Sequence, residues 1–72
     1  MALTIVQAKE FLKANVDEIL ANSNDSACKN IMSAVYYYNR AQNSYTEQLV
    51  IEATEAYIEK ARKYKEGERD EV

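Results

Sequence analysis

A chain of 72 residues holds one domain at most, and at that size it buries only about 60% of the surface it exposes when unfolded. With no histidine and one cysteine, an internal disulfide is excluded, a four-ligand zinc site has no ligand set, and neither a metal nor a cofactor is expected. A net charge of −3 argues against a phosphate-binding surface, which needs clustered lysine and arginine, so no nucleic-acid partner is expected.

The chain contains no proline and one glycine, Gly67, so breakers are scarce. No window sustains the alternation of a strand, whereas apolar residues recur at helical spacing throughout. The sequence therefore predicts an all-α fold, a small three-helix bundle or helical hairpin with helices near 4–21, 26–42 and 45–66. The first helix begins at Thr4, where Thr4 and Gln7 make a T-x-x-Q capping box and Leu3 is placed to staple onto Ala8. Its apolar stripe is Ile5, Ala8, Leu12, Val16, Ile19 and Leu20. The cluster Asn22-Ser23-Asn24-Asp25 then breaks the chain, and Asp25 or Asn24 caps the second helix. The buried face of that helix reads Cys28, Ile31, Val35 and Tyr38, flanked by Ala27, Ala34 and Met32.

A second capping box, Ser44 with Glu47, marks the start of the third helix, and Asn43 with Ser44 are poor helix formers. The competing reading is one unbroken helix from 26 to 66, and only propensity separates the two. Acids come early in the third helix (Glu47, Glu52, Glu55, Glu59) and bases late (Lys60, Arg62, Lys63, Lys65), an order that suits the helix dipole. Gly67 suits the turn after the last helical residue, leaving 67–72 as a frayed charged tail beyond a single helical domain, 1–66. The stretch Ala56 to Ala61 resembles the second helix of a tetratricopeptide unit over six residues. No second repeat accompanies it, and about three units are needed for such a solenoid, so membership is not inferred.

Two faces carry more apolar surface than one packing layer uses. In the third helix the apolar side chains, Leu49, Ile51 and Ile58 among them, spread over roughly 220°, about twice the width of a single-contact stripe. That helix should touch two other helices, or one helix and a partner chain, and Ile51, Ile58 and Leu49 are the residues expected at a homodimer seam. In the second helix, Tyr36, Tyr37 and Tyr38 cannot all face the core, because neighbours point about 100° apart. Tyr38 joins Ile31 and Val35, Tyr36 lies at the edge, and Tyr37 points away with Ser33, Arg40 and Asn30 on its side. Tyrosine and arginine are enriched at interface hot spots, so Tyr36, Tyr37, Arg40, Ser33 and Asn30 form the expected partner-binding patch.

Catalysis is not expected. There is no imidazole base, phosphate loop or nucleophile elbow, and Glu52, Glu55 and Glu59 sit on a solvated face. Cys28 reads as a small buried hydrophobe rather than a nucleophile. Charge interleaves with the apolar residues, so no membrane association is expected, and a free cysteine without a visible secretory signal suggests the cytoplasm. The function that remains is a protein-interaction module (an inhibitor, adaptor or regulatory subunit) presenting a helical face to a protein partner and forming a homodimer. The alternative is a small-ligand or nucleotide binder that stacks a ring on the tyrosines, with Arg40 meeting an anionic group.

Overall fold

The computed structural model describes residues 3–71, with side chains described for residues 3–63. It is all-α among the described residues, with four helices: α1 (Ile5–Ala14), α2 (Val16–Ala21), α3 (Ser26–Arg40) and α4 (Ser44–Glu71). The capping box at the first N-terminus is present, with Gln7 N–H donating to Thr4 Oγ1 at 3.1 Å and Thr4 N–H donating to Gln7 Oε1 at 3.0 Å.

The expected single helix over 4–21 is instead two segments, broken at Asn15. There the backbone leaves helical geometry (φ −116°, ψ 16°), and Asn15 Nδ2 donates to the Phe11 carbonyl at 2.8 Å. A short amide side chain competing for its own helix's carbonyls weakens the ladder, which propensity summed over a window does not register. Asn22 repeats the device at the end of α2, donating to the Glu18 carbonyl at 2.8 Å. Asp25 caps α3 as expected by accepting from Ala27 N–H at 2.9 Å.

The break between the second and third predicted helices is real and spans residues 41–43, which rules out one continuous helix and ends α3 at Arg40 rather than 42. Its cap lies one residue earlier than the sequence suggested. Asn43 Oδ1 accepts from Thr46 N–H, Asn43 N–H donates to Thr46 Oγ1 (both 3.0 Å), and Thr46 Oγ1 donates to the Ala41 carbonyl at 2.6 Å. Thr46 is buried while Ala41 and Asn43 are exposed, so its hydroxyl ties the turn to the helix from the core side. At the other end, α4 runs to Glu71 past Gly67, because one glycine costs a helix only about 1 kcal/mol and does not end it alone. The side chains of the expected tail, 67–72, lie outside the described residues.

Helix α4 packs against both α1 and α3, so its broad apolar arc is used by two neighbours within the chain. Ala8, Ala34 and Val50 form one buried cluster with Leu3, Leu12, Tyr38, Leu49, Ile51 and Ala53 against it. Ile19, Cys28 and Ile31 form the other, with Val35 and Tyr57 against it. Alanine from three helices lets the backbones approach closely, and Thr54, fully buried on α4, satisfies its hydroxyl on the Val50 carbonyl at 2.8 Å. Phe11 meets Tyr57 edge to face with ring centroids 5.8 Å apart, which joins α1 to α4.

Two polar ties hold the ends of the assembly. Leu3 N–H donates to Glu55 Oε2 at 2.9 Å, and Lys60 Nζ lies 2.8 Å from Asp25 Oδ2, linking α4 to the turn before α3. The Lys60 ammonium and the Ala27 N–H hold the Asp25 carboxyl below its ordinary value of 3.8. A carboxyl with a lowered folded-state pKa adds stability above its unfolded value and loses it as pH falls. Asp25→Asn keeps the capping oxygen but removes the charge. The variant should therefore melt below the wild type at pH 7, and the gap in Tm should close as both are titrated below the ordinary value of 3.8. An unchanged gap at pH 2.5 would assign the effect to something other than this ion pair.

Candidate functional site

Helix α3 has two exposed sides, and the sequence reading concerned only one of them. Tyr37 points to solvent and is 54% exposed, with Asn30, Ser33 and Arg40 also exposed on α3. Tyr38 turns inward, half-buried against the Ala8–Ala34–Val50 cluster with Lys9 Nζ 5.5 Å from its ring centroid. This is the opposition between neighbouring tyrosines that helical spacing requires.

The structure brings Tyr36, Tyr37 and Arg40 together. The Tyr36 and Tyr37 rings meet edge to face with centroids 5.5 Å apart, and Arg40 lies over Tyr36 at 5.6 Å while its Nη1 donates to Tyr36 Oη at 3.1 Å. Arginine thereby ties the exposed Tyr36 phenol one turn back along its own helix, beside the Tyr37 ring. No hydrogen bond joins Ser33 or Asn30 to this group among the described residues, so those two share its face without being tied to it. The near-perpendicular rings leave no parallel slot between them for a nucleobase.

The other side of α3 carries a feature that the helical wheel did not reveal. Between α1–α2 and α3, on the face away from α4, lies an apolar groove of about 500 Å³. Ile19, Ile31 and Val35 are among its lining residues, with Leu12 and Val16 on one wall and Met32 and Tyr36 on the other. Val16 and Leu20, assigned to the core stripe by spacing, are 46% and 55% exposed here, and Met32 is exposed as well. The cause lies in the packing. α1 and α3 each pack on α4 and meet each other around Ala8 and Ala34, and no further element covers the apolar edge that the two walls share.

The residues expected at a homodimer seam are placed differently. Leu49 and Ile51 pack against the chain's own core, and Ile58 is half-buried, lining a smaller polar hollow with Leu3, Glu55 and Arg62. Cys28 is buried, and its thiol is pushed above the ordinary value by loss of solvent and by the nearby Asp25 carboxylate, which suits the structural role expected of it. Burial likewise raises the Tyr57 phenol. Among the described residues, no helix is long and apolar enough to cross a membrane. Comparison with known proteins finds no matching family model, no matching curated protein and no matching solved structure.

Proposed function

We propose that this chain is a protein-interaction module whose working surface is the exposed aromatic side of α3 together with the groove beside it. One observation carries the reading: Tyr37, Tyr36, Met32, Leu20 and Val16 are exposed large apolar side chains, and the groove joins the last four into one surface. Single exposed hydrophobes are ordinary, but a contiguous patch rimmed by polar residues marks a contact site. Aromatic, methionine and arginine side chains are also the types enriched at interfaces. The nucleotide-binding alternative has less support, because Arg40 already donates to Tyr36 and the groove offers few polar groups to orient a ligand. A homodimer built on Leu49, Ile51 and Ile58 also has less support, since all three are at least partly buried within the chain.

The test is affinity capture from the native host with immobilised wild type and Tyr37→Ala, both checked by thermal melting. Tyr37→Ala should leave the melt within about 0.5 kcal/mol of wild type, because the phenol is exposed. A partner retained by wild type should be bound about tenfold more weakly by the variant, or roughly 1.4 kcal/mol. If every retained protein binds both forms equally, Tyr37 is not part of the surface.

A further inference from the structure

Helix α2 is held to the rest of the domain far more loosely than its neighbours are. It has six residues, well short of the roughly 12 to 15 that a helix needs to persist alone in water. Ile19 is its one buried side chain, while Val16, Asp17, Glu18, Leu20 and Ala21 are exposed. Among the described residues, no hydrogen bond or ion pair ties it to another helix. Its N-cap residue, Asn15, makes no side-chain capping bond, because the amide is turned back onto the Phe11 carbonyl. Burial of one isoleucine is therefore the main gain set against the conformational entropy of the whole segment.

Both flanks of α2 are fixed. Before it, α1 is docked on α4 through Ala8, the Phe11–Tyr57 ring contact and the bond from Leu3 to Glu55. After it, Asp25 caps α3 and is ion-paired with Lys60 of α4. The backbone leaves helical geometry at Asn15 (φ −116°, ψ 16°) and at Asn22 (φ −109°, ψ 33°), so α2 lies between two joints. Beneath it are Ile31, 3% exposed, and Cys28, 1% exposed, and both pack with Ile19.

We propose that α2 is a flap that opens as a unit on the joints at Asn15 and Asn22, uncovering Ile31 and the Cys28 thiol, while α1, α3 and α4 stay packed. Segments with few buried contacts open locally at a fraction of the cost of unfolding the domain. The flap is also part of the groove, through Val16, Ile19 and Leu20, so the width of the groove follows its position. The motion needs no partner, and its failure would leave the interaction-module reading untouched.

Cys28, the chain's single thiol, reports the opening. The full chain is mixed with an excess of an aryl disulfide, dithiobisnitrobenzoate. The Cys28 thiolate attacks one sulfur of the reagent, a mixed disulfide forms, and the coloured aryl thiolate leaves and is followed by its absorbance. The rate in water divided by the rate in the urea-unfolded chain gives the open fraction, and a urea melt gives the unfolded fraction. The open fraction should exceed the unfolded fraction by at least about a hundredfold, and its urea dependence should have less than about a third of the global slope. Val50→Ala, in the other core cluster, should raise the unfolded fraction about tenfold or more and leave the labelling rate within about twofold of wild type. Thr46→Val serves the same purpose if the alanine variant does not fold. The amides of Ile19 to Asn22, followed by hydrogen exchange, should report the same open fraction as the thiol.

A labelling rate that follows the unfolded fraction, with the global slope and a tenfold response to Val50→Ala, would overturn the flap, since only unfolding then uncovers the thiol. Rapid labelling with the Ile19 to Asn22 amides exchanging as slowly as those in the middle of α4 would overturn it too. The thiol would then be reached without movement of α2.

Discussion

Ile31→Ala should lower the unfolding free energy by about 3 to 4 kcal/mol, the usual loss when a buried isoleucine leaves a cavity that its neighbours cannot fill. Ile31 is only 3% exposed, packs with Ile19 and Cys28, and also lines the groove. A domain of this length has a total stability of roughly 4 to 11 kcal/mol, so this one change removes a large part of it. Urea titration followed by helical circular dichroism gives the measurement. A midpoint shift worth less than about 1 kcal/mol would show that the Ile19–Cys28–Ile31 cluster is not a rigid core but collapses onto the space it loses.

Thr46→Val should cost about 1 to 2 kcal/mol, although it preserves shape and changes one hydroxyl for a methyl group. The Thr46 hydroxyl accepts from Asn43 N–H and donates to the Ala41 carbonyl, and valine removes both bonds from this part-buried turn. Thr46→Ser keeps the hydroxyl and should recover most of the loss, which separates hydrogen bonding from packing. Equal stability of the valine and serine variants would mean that water reaches the 41–43 turn and replaces the side chain.

Much of this architecture was legible because helices announce their ends and faces locally. The Thr4–Gln7 box, the Asp25 cap, the break before α4 and the inward turn of Tyr38 each depend on residues within one or two turns of one another. The errors have the same origin. Asn43 with Thr46 does not match the sequence pattern of a capping box, yet the two make its reciprocal bonds, Thr46 N–H to Asn43 Oδ1 and Asn43 N–H to Thr46 Oγ1. Asn15 gave a weak signal, since asparagine inside a predicted helix is tolerated far more often than it breaks one. The groove was not legible at all. Spacing showed that Val16 and Leu20 share a face with Leu12, but whether another helix covers that face depends on how far α1 and α3 stand apart, and no single helix encodes that distance. For the same reason the wide arc of α4 left two readings open, a second helix or a second chain, and the intramolecular contacts with α1 and α3 supply the first.

The central place of α4 also orders the events of folding. α3 and α4 are joined by a three-residue turn, so their contacts close a short loop and form early at little entropic cost. The tie from Leu3 to Glu55 spans 52 positions, and α1 has no comparable surface to dock on before α4 exists. On the ribosome, then, Ile19 meets Cys28 and Ile31 as soon as α3 has emerged, whereas the cluster around Ala8 lacks Val50 until α4 has followed, so the first helix made is the last to find its place.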